Sequence, residues 1–328
     1  MTGTPRLGVV GAGYWGPNLI RNAFELGILD SVCDANPIAL VDVKRKYPEV
    51  ALVASYDALL QRPIDAVVIA TPAQLHGTMA LQALGRGKHV FVEKPLALTL
   101  GEAEEIVRQA RERKLQAFVG HLLLYHPAVK KLRALIAEGA IGDVWHLRSR
   151  RLSLGKLRAH ESVWWSFAPH DVAVMLAIMG EEPIGVSAAQ SSQPARPNAD
   201  VAYADYRFAS GRTAHIEVCW FDPRKAARLD VFGTRGALTL EDSRAGSELT
   251  LTRYAVDHAD PLKISREDGV AIPVSGGEPL AAELRAFAAS ITSSTPAETN
   301  AEQGLAVLRL LQMADEAAGV DSHAAMAV

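Results

Sequence analysis

The stretch from Leu7 to Asp34 limits what this chain can fold into more than any other. A short apolar run, Leu7–Val10, ends in Gly11-Ala12-Gly13-Tyr14-Trp15-Gly16. An amphipathic segment follows, with Leu19, Ile20, Ala23 and Phe24 on one helical face and Gly27 where a helix would stop. A second apolar stretch ends at Asp34. Strand, glycine turn, helix, strand and acid stand in the order of a dinucleotide-binding fingerprint. Gly11 permits a backbone conformation that a side chain would forbid. Gly13 lets the chain approach a pyrophosphate, Gly16 lets the helix lie against the strand, and the free N–H groups of the helix start favour phosphate. Asp34 can accept hydrogen bonds from both hydroxyls of an adenosine ribose and would repel a 2′-phosphate, which favours NAD over NADP. Asp42 is the alternative acid, but it lies inside the helical pattern Pro37–Tyr47. A glycine triplet alone also fits a plain structural turn; the order of the elements around it argues for the nucleotide.

Beyond Asp34, helical and strand-like segments alternate. Helical patterns cover Pro37–Tyr47, Ser55–Gln61, Gln74–Leu84 and Thr99–Lys114, the last opened by a Thr99/Glu102 capping-box spacing. Strand-like runs cover Ile64–Ala70, His89–Glu93 and Gln116–Gly120. This alternation predicts a doubly wound parallel sheet, buried on both faces. Past Gly120 the character changes. After one helix at Pro127–Glu138 come Val144–Arg150, Ile184–Ala189, Val201–Phe208, Thr213–Phe221, Arg228–Phe232 and Ala237–Leu240, separated by turns. Such close succession predicts a largely antiparallel sheet, interrupted by a helix over His170–Met179. Helical patterns at Leu280–Ile291 and Gln303–Ala317 end the series. The expected architecture is α/β: a Rossmann domain over 1–121 and an α+β domain with an open antiparallel sheet over 122–328. The last two helices are able to pack back on the first domain, and a ligand is expected at the carboxyl ends of the parallel strands.

The 328 residues suffice for two domains, and 49% hydrophobic and 22% charged residues with a net charge of −3 describe a globular protein. That balance gives no electrostatic case for nucleic acid or a membrane surface. Cys33 and Cys219 fit no disulfide framework or metal spacing, which suits a reducing cytoplasm. No HExxH and no Cys/His cluster calls for a metal. The opening residues read as polar chain before a fold strand, so no signal peptide is expected.

Two residues stand out for chemistry. Lys94 follows the predicted strand His89–Glu93 at its carboxyl end, where a lysine can hydrogen-bond a substrate hydroxyl and stabilise an alkoxide. Burial and a cationic nicotinamide would both lower its pKa. The alternative is a surface lysine before a helix. His170 follows Pro169, which favours a first helical turn, so the imidazole is expected at a helix start, pointing outward, as a proton acceptor. The alternative is a capping or packing histidine. Around them, His121 and Tyr125 begin the second domain, and Arg148, Arg150, Arg151, Lys156 and Arg158 form a basic stretch suited to carboxylate or diphosphate.

Taken in order, GAGYWGPNLIRN, ATPAQLHG, GKHVFVEKPLALT, VGHLLLYHPA and WWSFAPHDVA resemble the glucose–fructose oxidoreductase/inositol dehydrogenase (Gfo/Idh/MocA) family over essentially the whole chain. The resemblance implies NAD-dependent oxidation or reduction of sugars and inositols, with Lys94 and His170 as the catalytic pair and often a cis Lys-Pro bond. It places Gly11, Gly13, Tyr14, Trp15, Gly16, Asp34, Thr71, Pro72, His76, Glu93 and Lys94 against the cofactor. His121, Tyr125, Arg151, Arg158 and Ser166 fall to the substrate, and the sheet of the second domain to a homodimer or homotetramer. Within the family, YWGPN, GHLLLYHP and WSFAPHD are closest to the branch that oxidises the 3-hydroxyl of UDP-N-acetylglucosaminuronic acid on a route to surface polysaccharide. Ser166 stands where many members carry aspartate, a serine that branch accepts, while Ser153-Leu154-Gly155 departs from that branch's Asn-Leu-Gly. A free sugar or inositol is the rival substrate. A non-catalytic NAD-binding regulator is the rival from another class, disfavoured by the presence of both Lys94 and His170.

Overall fold

The computed structural model describes residues 3–155, 157–158, 161–243, 246–257 and 259–320. Lys156 of the basic stretch lies outside them. In chain order, β1 (Leu7–Val10), α1 (Gly16–Glu25), β2 (Leu29–Cys33), α2 (Pro37–Lys46), β3 (Ala51–Val53), α3 (Tyr56–Leu60) and β4 (Ala66–Ile69) come first. Next are α4 (His76–Gly85), β5 (His89–Glu93), α5 (Leu100–Arg113), β6 (Ala117–Gly120), α6 (Pro127–Ala137), β7 (Val144–Leu154) and α7 (Val163–Met179). A run of strands follows: β8 (Pro183–Ser191), β9 (Val201–Phe208), β10 (Thr213–Cys219), β11 (Phe221–Gly233), β12 (Gly236–Ser243), β13 (Gly246–Val256), β14 (Ile264–Arg266) and β15 (Val270–Ile272). Helices α8 (Pro279–Ser293) and α9 (Ala301–Ala317) close the described fold. The described residues form two compact units: those up to Leu122 with Gly277–Leu308, and Leu123–Gly276 with those from Arg309 on.

In the first unit six strands form a parallel sheet in the order β3-β2-β1-β4-β5-β6, the doubly wound order. Its central strands carry helices on both faces, so they are apolar without alternation: all of β1 and β4 is buried. Asn36, Ser55 and Thr99 each accept a backbone N–H at the start of their helices, so α2, α3 and α5 begin where these capping residues stand. Helix α8 adds Phe287 to a cluster with Phe91 of β5 and Phe118 of β6, ring centroids 5.8 and 5.5 Å away. The first half of α9 lies against β6, where Gly304 leaves no room for a side chain: a Cβ there would sit 2.5 Å from Val119 Cγ2.

The second unit is built on a sheet of β14-β13-β12-β11-β7-β10-β9-β8, with β15 paired to β13. All its pairings are antiparallel except β7 with β10, which is parallel. The sheet extends further than its apolar runs suggest. Strand β7 continues to Leu154, and β11 starts at Phe221, because both are central strands whose neighbours supply hydrogen bonds to polar residues. The sequence pattern also misses β3, β13, β14 and β15, which are short, or polar with only alternate residues such as Leu249 and Leu251 buried. The largest departure is α7. It begins at Val163, capped by Ser162, so Pro169 and His170 lie in its interior instead of its first turn. Pro169 offers no N–H to the turn before it. Burial of Trp164 and Trp165, each 1% exposed, and their indole bonds to Leu311 O (3.1 Å) and Asp315 Oδ2 (2.7 Å) hold that turn helical.

Candidate active site

The glycine turn between β1 and α1 has the shape its residues demand. Gly11 has φ +96°, and a Cβ there would lie 2.5 Å from the Ala70 carbonyl oxygen; a Cβ on Gly16 would lie 1.9 Å from the Gly11 oxygen. Around the Cα of Gly13, by contrast, there is open space. Asp34, just past β2, accepts from Ala12 N through Oδ2 at 2.6 Å and from Asn36 N through Oδ1 at 2.7 Å. The acid therefore braces the turn, and each oxygen keeps a lone pair for a further donor. Tyr14 is 82% exposed, while Trp15 folds inward and donates from Nε1 to Glu93 Oε1 at 2.6 Å.

Lys94 sits in the loop after β5, and the Lys94–Pro95 peptide is cis. Its charge is felt by three titratable neighbours. Burial pushes the Glu93 carboxyl up to about 7, against the pull of the Trp15 hydrogen bond and of Lys94. Burial pulls His121 down to about 4, opposed by Gln303 and reinforced by Lys94. His121 is 2% exposed, and its Nδ1 lies 2.6 Å from Gln303 Oε1. His76, also 2% exposed, has Nδ1 2.7 Å from the Pro95 oxygen and Nε2 2.9 Å from the Thr71 oxygen. His76, expected against the cofactor, thus turns both ring nitrogens to the main chain. Thr71 and Pro72 form the turn after β4 that His76 holds.

In the second unit α7 is buried from Ser162 to Met175 except at Phe167 and His170. These are one turn apart, so the helix opens at one spot, and His170 stands in it. Ser166, four residues earlier, is buried beside it. Tyr125 is 5% exposed, with Lys130 Nζ 5.0 Å from its ring centre.

The strand read over Val144–Arg150 continues through Arg151 to Leu154, which changes what its arginines can do. Arg148, Arg150 and Arg151 belong to β7, and Arg151 projects to the face opposite the other two. Arg148 donates to Asp230 Oδ2 (2.9 Å), on the face away from α7. Arg151 donates from Nε to Asp171 Oδ2 (2.8 Å) and from Nη2 to Oδ1 (3.0 Å), and Ser149 Oγ donates to the same Oδ1 at 2.7 Å. Arg151, expected at the substrate, thus holds a buried carboxylate with its Nε and Nη2. Arg158, itself exposed, pairs with the half-buried Glu161 at 2.7 Å. Asp171, Ser149, Gln303 and the fully buried Glu283 have no signal in the sequence, since each acts through a partner far along the chain.

Open space at Gly13, a braced acid at the end of β2 and the 3-2-1-4-5-6 strand order fit a bound dinucleotide: Asp34 would take the adenosine ribose and the turn at Gly11–Gly16 the pyrophosphate. These features define a nicotinamide-dependent oxidoreductase. The model of an oxidoreductase family with an NAD-binding Rossmann fold matches residues 5–121, and that of the GFO/IDH/MocA C-terminal domain matches residues 129–239. The chain belongs to the Gfo/Idh/MocA family, and it is an NAD-dependent oxidoreductase acting on sugar CH–OH groups.

Three relatives show its breadth. UDP-N-acetylglucosamine 3-dehydrogenase of Acidithiobacillus ferrooxidans is 28% identical over 312 residues, 92% of this chain and 94% of that protein. A solved structure of that enzyme superposes with a TM-score of 0.84 at 26% identity, covering 95% of this chain and 97% of the other. Inositol 2-dehydrogenase of Rhizobium meliloti is 27% identical over 324 residues, 87% of this chain and 96% of that protein. 2,7-Anhydro-N-acetylneuraminate hydratase of Escherichia coli is 28% identical over 225 residues, which spans 64% of this chain and only 60% of the relative.

Proposed function

We propose that this enzyme oxidises the 3-hydroxyl of a UDP-linked N-acetylglucosamine-type sugar, UDP-N-acetylglucosaminuronic acid being the form the sequence pattern favours. The observation that carries the reading is the match along nearly the full length of both chains to a UDP-N-acetylglucosamine 3-dehydrogenase. Bound nicotinamide supplies the hydride acceptor. Lys94 hydrogen-bonds the substrate oxygen and polarises it, and His170, half-buried in α7 beside Ser166, takes the hydroxyl proton. Ser166 lies on the same side of α7 as His170 and orients the ring or the sugar. Tyr125 and His121 shape the apolar and neutral wall of the sugar site. For a uronic carboxylate Arg158 is the remaining candidate, since its own side chain is exposed. Native mass spectrometry with UDP-sugars tests this directly: retention of UDP-N-acetylhexosamines over UDP supports it, and equal binding of UDP alone opposes it.

The near full-length match to an inositol 2-dehydrogenase supports a second reading, a free cyclic polyol oxidised by the same two residues. In either case we propose that the sheet face away from α7 meets a second copy. Register places His146, Arg148, Asp230, Thr239 and His215 there, and Asp230 is 1% exposed within an Arg148/Arg228/Thr239 network. Light scattering showing a monomer at micromolar concentration would remove that part of the proposal.

A further inference from the structure

We infer that His76 is a positioning residue: from the start of α4, its Nδ1–H holds the turn that carries Lys94 through the Pro95 carbonyl. The inference rests on the reading that Lys94 acts on the substrate oxygen. Strands β4 and β5 are neighbours in register, Ile69 opposite Val92, so the loops that leave them, Thr71-Pro72 and Lys94-Pro95, lie side by side. His76 opens α4 beneath both. It is 2% exposed, with Nδ1 2.7 Å from Pro95 O and Nε2 2.9 Å from Thr71 O.

The chemistry of the ring makes this more than packing. Both contacts are acceptors, and a neutral imidazole carries one N–H. It therefore donates to one carbonyl and sets a lone pair against the other, while an imidazolium would donate to both. Burial holds the ring towards neutrality; the two carbonyls pull the other way, and the Lys94 charge adds to the effect of burial. The other titratable groups around this corner are Glu93 on β5, His121 after β6 and Glu102 of α5, whose carboxylate lies against Gly77. With the single proton on Nδ1, at the shorter contact, the ring grips the Lys94 turn and only rests on the Thr71 turn. Loss of that grip would let Lys94 leave the substrate oxygen, and misplacement by an ångström is costly in rate.

Two amide substitutions separate the two bonds, because an asparagine amide nitrogen falls near Nδ1 and a glutamine amide nitrogen near Nε2. His76→Asn is expected to keep kcat within about threefold of wild type. His76→Gln is expected to lower kcat by about tenfold or more while the NADH dissociation constant stays within about threefold, a split that a loosened cofactor site would not produce. In protein carrying 15N-histidine, the His76 ring is expected to be neutral with its proton on Nδ1, a reading that needs no variant to fold. His76→Gln with wild-type kcat, parallel loss of NADH affinity, or a proton on Nε2 would each overturn the inference. Lys94→Ala, run beside these, separates the failures. If it is inactive while His76→Gln is active, the positioning role alone falls; if it is active, the role of Lys94 falls and the inference with it.

Discussion

The Arg151–Asp171 pair is where the structure most changes what a mutation should do. Asp171 is 5% exposed on α7 and has three donors, Arg151 Nε, Arg151 Nη2 and Ser149 Oγ. Arg151→Ala removes two of them and leaves a carboxylate in the interior with one neutral partner. Breaking a buried pair from one side costs about 3–5 kcal/mol. Ser149 keeps about 1 kcal/mol of that compensated, so about 2–4 kcal/mol is the expected loss. At about 2–4 °C per kcal/mol for a unit of this size, the melting temperature should fall by about 4–16 °C. Trp164, Trp165 and Trp220, each 1% exposed in the same unit, report the transition by fluorescence in urea. The double replacement Arg151→Met/Asp171→Leu should recover most of the loss, because an apolar pair carries no desolvation penalty. If Arg151→Ala unfolds within about 1 kcal/mol of wild type but binds a nucleotide sugar about tenfold more weakly, the pair is loose and the arginine serves the substrate. That result would refute a structural role for the pair.

Two further outcomes are expected. Asp34→Ala should lower the preference for NAD(H) over NADP(H), which in wild type should be about tenfold or more, roughly 1.4 kcal/mol; fluorescence titration with both reduced cofactors measures it. The pH dependence of stability should carry two opposed slopes. Glu93 rises from 4.5 to about 7, so the folded state holds a proton that the unfolded chain has released, and stability falls as pH rises through that window. His121 falls from 6.5 to about 4, so its contribution is lost as pH drops through that window. Urea midpoints of wild type minus Glu93→Gln isolate the first: the difference should decline from about pH 4.5 to 7 and be flat above.

What is legible in the sequence is local. The turn from Gly11 to Gly16, the acid at Asp34 and the lysine after β5 each lie within a few residues of the element that positions them, so their order on the chain is their order in the site. The start of α7 escapes a local reading because Pro169 is a strong signal on its own, and the forces that override it come from Leu311 and Asp315, about one hundred and fifty residues away. Arg151 escapes it for the same reason: the pattern ends the strand at Arg150, and only the pairing of β7 with β10 and β11 carries it on through Arg151. His76 belongs to a recognisable motif, but its two carbonyl partners sit in different loops and only the fold brings them together.

The central claim is that a hydride leaves a sugar ring carbon for the nicotinamide, with Lys94 and His170 acting on the same hydroxyl. Incubating the enzyme and NAD+ with UDP-N-acetylglucosaminuronic acid deuterated at C3 tests it most directly, read by mass spectrometry of the reduced cofactor. The account predicts deuterium on the nicotinamide in wild type. It also predicts a rate about a hundredfold or more lower in Lys94→Ala and in His170→Ala, with NADH binding retained in both. Unlabelled reduced cofactor would place the oxidised carbon elsewhere on the substrate, and near wild-type transfer by either variant would contradict the assignment of that residue.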